Sequence, residues 1–362
     1  MIVGFSSAHN PKPKIIFDGD KKFVASNINA YLLDAPNIFV ESRPNHIQGN
    51  VPEIGIGNKP IDDGNYLFTF DEMKDFIVRE PDSQKYFRRW YGAREFINNE
   101  PRYCLLLKDC PPNELKHMPL VYQRVKNVRE FRLASKSEST RKLADKPTRF
   151  HVENFPSGNY LLIPRVSSEN RRYVPIGFMN SNELASDSVH IVPNATPYHF
   201  GVLTSSIHMI WLRTVGGRLK SDYRYSKDVV YNNFIWCETS DKQKKAIETS
   251  AQKILDIRAK FPDSSFAELY DEVTMPYELR DAHKKTTAQL PPPIVWKIFW
   301  TTNQPLPSPY SNFTAPAQQE LNQSKITFQA PFPVMWTIIN GSLAKLFISS
   351  CVMFGSISFK RR

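Results

Sequence analysis

The chain has 362 residues and an apolar fraction of 41%, enough for two domains with a sizeable core and too apolar for wholesale disorder. Its 28 prolines against 14 glycines favour rigid turns and short elements over long helices. A formal net charge of +11 points to a polyanionic partner, nucleic acid ahead of an anionic membrane.

Cys104, Cys110, Cys237 and Cys351 make no Cys-x-x-Cys pair and have no histidine cluster beside them. That pattern argues against a zinc site and for reduced, buried thiols in a cytoplasmic protein. The start, Met1-Ile-Val-Gly-Phe-Ser6, lacks the basic lead and long apolar run of a signal peptide.

In chain order, residues 1–50 read as strand and loop. An apolar strand, Ile2–Phe5, stands directly against Met1 and reads as the remnant of a larger sheet. A lysine-rich turn follows, then strand candidates at Tyr31–Leu33 and Ile38–Val40. Gly55–Pro60 and Asp62–Asn65 are turn clusters. A helix is expected after Thr69, with Asp71 and Glu72 at its positive end, and Cys104–Leu107 has the character of a buried strand.

Residues 121–150 are the most basic window. They hold nine cations (Arg124, Lys126, Arg129, Arg132, Lys136, Arg141, Lys142, Lys146 and Arg149) against three acids. Val121, Val125 and Val128 lay one apolar stripe along an otherwise basic helix. Tyr160–Ile163, Tyr173–Ile176 and Val189–Val192 read as short strands. Residues 240–285 turn helical, with Ile247, Ala251, Ile254 and Leu255 on one face, Pro262 as the stop, and a capping-box spacing at Ser265 and Glu268. Beyond Lys285 come three prolines (291–293), no readable period, and an apolar run at 334–359 broken by Asn340, Gly341 and Lys345.

No serine or cysteine sits in a G-x-S-x-G context, so a hydrolase is not indicated. Gly55-Ile-Gly57 lacks the Lys-Ser/Thr and third glycine of a phosphate loop and reads as a turn. Methyl transfer to a base needs a glycine-rich cofactor loop and an Asn/Asp-Pro-Pro-aromatic loop that grips a flipped adenine. Here Pro111-Pro112 follows Cys110 and Pro291–Pro293 follows Leu290, so no catalytic residue is assigned.

Two basic stretches suit DNA instead. Arg213, Arg218, Lys220 and Arg224 surround a Gly216-Gly217 turn that would let the backbone approach a phosphate, with Ser221, Tyr223 and Tyr225 as neutral hydrogen-bonding groups. Arg141 and Lys142 are further phosphate candidates. The second stretch, Ile163–Arg172, carries Arg165, Glu169, Asn170 and Arg171, the side-chain types that pair with guanine, cytosine and adenine edges. It has equally the composition of a polar β-turn.

Ordered blocks across residues 1–285 resemble the C-terminal half of MmeI-like DNA adenine methyltransferases of the single-chain restriction–modification type. They include Gly57-Asn-Lys-Pro60, Asp63-Gly-Asn65, Gly92–Asn98, Arg102–Leu105, Val128–Arg132, Pro164–Ser168, Ala185–Asp187, Tyr198–Gly201, Gly217–Tyr225 and Tyr231–Phe234. The resemblance implies an α/β (α+β) fold: a mixed, short-strand target-recognition domain at 51–236, a helical region at 240–285, and in 1–50 the end of a methyltransferase domain. It implies duplex DNA as partner, and S-adenosylmethionine as a cofactor of the intact parent enzyme and not of this chain. It places base readers within 167–172 and 196–199, so Arg165, Glu169, Asn170, Arg171, Thr196 and Tyr198 are the candidates. The recognised site is not legible, because its readers lie on loops.

The resemblance ends at His283-Lys-Lys285. With third bases chosen freely, one adenine restored to the lysine codons turns the codons of Thr286–Trp300 into a frame opening Asn-Asp and continuing as a family-like helix. Residues 286–362 are therefore expected to be an irregular, out-of-frame tail. Two rival expectations remain: a recognition subunit paired with a separately encoded methyltransferase chain, and a stand-alone nucleic-acid-binding or membrane-tethered protein. Neither a metal nor a membrane is expected of the first reading, and its place is the cytoplasm.

Overall fold

The computed structural model describes Gly4 and residues 12–291, less 19, 33, 35, 36 and 38. The expectations for Ile2–Phe5, Leu33, Ile38, Cys351 and 292–362, the tail and its apolar run included, lie outside the described residues. Two compact units divide the chain. One comprises Pro52–Phe200 and Gln252–Arg280, the other the described parts of Met1–Val51, Gly201–Ala251 and Asp281–Arg362.

Strands β1 (Lys14–Asp18) and β2 (Lys21–Ala25) form an antiparallel hairpin in which Ile15 faces Val24 and Phe17 faces Lys22. This corrects the expectation of a lysine-rich turn. Apolar residues fall on both faces of the hairpin, so no alternation announces the strands. Tyr31 and Leu32 lie in a turn, Leu32 with φ +60°, and Phe39–Val40 are not strand.

The unit containing 52–200 begins with β3 (Gly55–Ile56) and β4 (Leu67–Thr69). Helix α1 (Phe70–Arg79) starts where expected: Thr69 accepts from Glu72 N while the Glu72 carboxylate accepts from Thr69 N at 2.8 Å. That backbone bond holds the Glu72 carboxyl below its ordinary range. A 3₁₀ turn leads to β5 (Phe87–Tyr91), α2 (Ala93–Asn98) and β6 (Arg102–Leu105). Cys104 and Leu105 are fully buried, as the sequence reading expects.

After α3 (Pro112–His117), α4 (Pro119–Leu133) buries Val121, Val125 and Val128, the expected stripe. Its first N–H groups are met from a distance: the buried Glu80 carboxylate accepts from Leu120 N at 3.0 Å and Val121 N at 2.7 Å. Then come α5 (Glu138–Leu143), β7 (Tyr160–Pro164), β8 (Val166–Ser167), β9 (Gly177–Met179), β10 (Leu184–Ala185), β11 (Val189–Pro193) and α6 (Pro197–Leu203). Tyr173–Ile176 is not a strand, although its residues are buried. Pro175 has no N–H to give a ladder, and pairing begins at Gly177. One sheet has the order β10-β5-β6-β4, with only β10 and β5 parallel, and the other is the antiparallel β3-β11-β7-β9.

A single side chain ties this unit's long loops together. Arg132 is fully buried at the end of α4. Its Nε donates to Ile61 O at 2.9 Å, Nη1 to Leu143 O and Lys146 O, and Nη2 to Pro60 O at 2.8 Å and Arg149 O at 2.9 Å. All five N–H groups are used. Ile61, a β-branched residue, sits at φ +52° between these bonds, an arrangement that costs about 1–3 kcal/mol.

In the other unit, α7 (Ser206–Val215) is capped by Ser205 and leads into β12 (Gly217–Leu219) and β13 (Asp222–Arg224). Along the chain, α8 (Asp241–Arg258) begins in this unit and ends in the first, α9 (Phe266–Leu269), with the expected Ser265–Glu268 box, belongs to the first, and α10 (Tyr277–Gln289) begins there and ends in this one. The last helix runs four residues past Lys285, with Thr286 buried. Gly201 is required by close packing: a Cβ there would stand 2.9 Å from Ile247 Cγ2 and 3.1 Å from Ala251 Cβ. His208 is buried beside Phe234, 2.8 Å from Tyr225 Oη through Nε2, and burial lowers it to about 3.

Replacing Arg132 with Met or Lys is expected to cost about 3–5 kcal/mol, because main-chain carbonyls lose donors that a lysine cannot replace in a fork. Thermal unfolding checks this, and a Lys variant as stable as the parent would refute it. For His208, the unfolded chain takes a proton as pH falls below 6.5 while the folded chain does not until about 3. Stability should therefore decline through that window by up to about 1.4 kcal/mol per pH unit. In urea unfolding at pH 7, 6 and 5, His208→Phe should flatten that decline even though it lowers stability at pH 7.

Candidate nucleic-acid interface

The loop after β7 is braced before it is exposed. Arg165 N donates to Ser188 O at 3.2 Å, and its Nη1 donates to Asp187 O at 2.8 Å. Beyond β8, a turn closes from Arg171 N to Ser168 O, with Asn170 N bonded to Ser168 Oγ. Glu169, Asn170 and Arg171 thus share one four-residue turn, with Asn170 and Arg172 exposed and Glu169 and Arg171 half-buried. Arg165 sits at its base as a brace. Thr196 opens α6: its N and Oγ1 both lie 3.0 Å from His199 Nδ1. Tyr198 is only 8% exposed, so its ring offers a base little more than an edge.

The basic stretch at 213–225 is a hairpin, with Gly217 facing Arg224, Arg218 facing Tyr223 and Leu219 facing Asp222. The sequence reading puts the turn at Gly216-Gly217, and the structure moves it. Gly216 ends α7, its N–H bonded to Leu212 O; a Cβ there would meet that oxygen at 2.4 Å. The hairpin turns at Lys220 and Ser221, with Lys220 at φ +57°. Tyr223 and Tyr225 are buried and so are not the neutral phosphate contacts expected of them. Tyr223 instead accepts from Arg213 Nε at 3.0 Å, and the Arg218 guanidinium lies 4.1 Å from its ring centre. Lys220 and Arg224 are the exposed cations of the hairpin.

The window 121–150 divides in the same way. Arg132 is interior. Arg124 donates to Asn65 O at 2.7 Å and lies over the Phe68 ring, and Arg149 pairs with Glu153. Arg141 Nη1 donates to Ser135 O and Lys136 O at 2.8 Å each, closing the end of α4, and Lys142 pairs with Glu138 at 2.8 Å, both side chains exposed. The exposed ion pair at Lys142 is weak and leaves its charge available. Sequence reasoning missed the platform role of Tyr223 and the interior role of Arg132. The second was signalled by spacing, since Arg132 takes the next position on the stripe of Val121, Val125 and Val128.

Pro111 and Pro112 lie at the start of α3, and Gly57 is required by close packing, because a Cβ there would stand 2.2 Å from Ser186 O. Among the described residues there is no group of three or more metal-ligating side chains and no helix long and apolar enough to cross a membrane.

Residues 34–238 match the family described as MmeI, target recognition domain, and 239–288 the family described as MmeI, C-terminal domain. DNA methyltransferase A of Bacillus subtilis (strain 168) is 38% identical over 285 residues, which are 79% of this chain and 32% of that protein. A structure of the Type IIL restriction-modification enzyme MmeI in complex with DNA is similar at a TM-score of 0.76 and 43% identity, covering 82% of this chain and 40% of that one. The chain therefore spans well under half the length of either relative. With both matches in sequence order and the mixed α/β architecture in place, the chain belongs to the MmeI family and carries its target recognition and C-terminal domains.

Proposed function

We propose that this chain reads duplex DNA as the recognition part of an MmeI-type DNA adenine methyltransferase and does not itself transfer a methyl group. The observation that carries this reading is the fold it shares with MmeI, whose structure was solved with DNA. Lys220 and Arg224 contact phosphates from the hairpin, and Lys142 is a further phosphate candidate. Glu169, Asn170 and Arg171 face base edges from their turn, and the Thr196 hydroxyl is a further candidate. Arg165, Arg213, Arg218 and Arg141 hold these elements in place, and Tyr198 supports the start of α6.

S-adenosylmethionine belongs to the catalytic part of such an enzyme. A separately encoded methyltransferase chain would complete the reaction in the cytoplasm.

The full chain should bind mixed-sequence duplex DNA with an affinity that drops steeply with added salt. Lys220→Ala with Arg224→Ala should weaken binding to all sequences alike and reduce the slope of log K against log salt by about 1 to 2. Glu169→Ala or Asn170→Ala should instead change the ranking of sequences in a selection from a random library, each costing about 1–3 kcal/mol at the preferred base. Labelled methyl groups should not pass to DNA unless a methyltransferase chain is added. If the double variant binds like the parent at every salt concentration, the hairpin is not the phosphate contact.

A further inference from the structure

We infer that Leu219 is an apolar wedge that enters a DNA groove and partly unstacks a base step, so that this protein deforms the duplex it holds. The inference rests on the proposed DNA-binding role of the hairpin and adds what the hairpin does to the DNA.

Leu219 is 53% exposed and immediately precedes the turn at Lys220 and Ser221. A lone exposed leucine needs no explanation on an ordinary surface. This one stands on the strand β12, beside the hairpin turn and between Arg218 and Lys220, with the exposed Arg224 on the return strand. The exposed Lys220 and Arg224 would hold the apolar side chain against a polyanion, whose phosphates offer it no apolar surface. Proteins that insert leucine, isoleucine, methionine, phenylalanine or proline between base steps combine the same two elements.

A wedge also needs a stiff mount. The hairpin's base has one, because Tyr223 is buried, bonded by Arg213 Nε and covered by Arg218 at 4.1 Å, and Tyr225 two residues on is fixed to His208 at 2.8 Å. Force at the tip is therefore met by packed aromatic rings and not by a loose loop. The half-buried Asp222 opposite Leu219 places one acid near the tip, which disfavours close phosphate contact there and leaves that task to Lys220 and Arg224.

Unstacking is cheaper where a base pair is already mismatched, and this gives a test that needs no knowledge of the recognised site. The full chain is titrated at low salt onto two 30-base-pair duplexes of the same mixed sequence, one fully paired and one with a central mismatch. The parent should prefer the mismatched duplex by about 3- to 10-fold. Leu219→Ala should lose that preference, Leu219→Met should keep it, and Lys220→Ala should weaken both duplexes by the same factor. Binding without preference by the parent, or a preference that survives in Leu219→Ala, overturns the wedge and leaves the DNA-reading proposal standing. Failure of the parent to bind either duplex overturns both.

Discussion

A guanidinium has five N–H donors and no acceptor, and at Arg132 each of the five meets a main-chain carbonyl. Two of those carbonyls, Pro60 and Ile61, belong to the turn before β4; three, Leu143, Lys146 and Arg149, belong to the end of α5 and the segment after it. Leu143 O and Lys146 O also accept from the Lys146 and Arg149 N–H groups, so the carbonyls that depend most on the arginine are those of Pro60, Ile61 and Arg149, two of them on either side of the positive φ at Ile61. Neighbouring residues serve the same clamp. The buried Tyr66 donates to Pro147 O, and the Asp62 carboxylate accepts from Tyr66 N. Burial pushes that carboxyl up against the opposing pull of this hydrogen bond and of the Arg132 charge. Asn58 bonds Asn154 and Ala185 through its side chain, and Asp63 and Gly64 take successive positive φ values. The Gly57–Asn65 block, among the most recognisable in the sequence, therefore fixes backbone.

Arg258 repeats the solution with different partners. It is buried at the end of α8, donating to Ile176 O at 2.6 Å and to Tyr270 Oη, with its guanidinium about 5 Å from the rings of Phe200, Phe266 and Tyr270. Neither arginine has a carboxylate within ion-pair distance among the described residues. Carbonyl dipoles and ring faces stabilise both charges, which suits a planar, weakly hydrated cation and not a lysine ammonium. The spacing also repeats. Val121, Val125, Val128, Arg132 and Ile247, Ala251, Ile254, Arg258 both run four, three, four along a helix, so each arginine occupies the next position of an apolar stripe.

That regularity shows where the sequence could be read and where it could not. Thr69 and Ser265 announced their helices because a capping box is local chemistry, complete within four residues. The strand at Cys104 and the valine stripe of α4 were legible because burial imposes a period. The hairpin at 14–25 was hidden by apolar residues on both faces, although Asp18-Gly19 between two apolar runs was an available hairpin signal. Tyr173–Ile176 misled because burial without strand pairing leaves the same composition. At the site, residue types were readable but their orientation was not. Gly216 resembled a turn glycine, yet it is needed because the Leu212 carbonyl lies against it, and Tyr223 resembled a surface hydroxyl, yet it is buried under two arginines.

The net charge of +11 is consequently a poor map of where a polyanion would touch. Much of it is spent on the fold, in Arg132 and Arg258 under ring and carbonyl shells, in Arg124 over Phe68, and in Arg141 closing α4. The cations left on the surface of the hairpin stand at its turn and return strand, where the backbone is already fixed by Tyr223. The turn carrying Glu169, Asn170 and Arg171 follows the same logic, since Ser168 supplies its hydrogen bonds and Arg165 ties its base to the Asp187 carbonyl. With Ser168 and Arg165 bonding main-chain groups, the backbone of this turn is held in part by residues other than the proposed readers, so a change of residue type at 170 leaves those bonds in place.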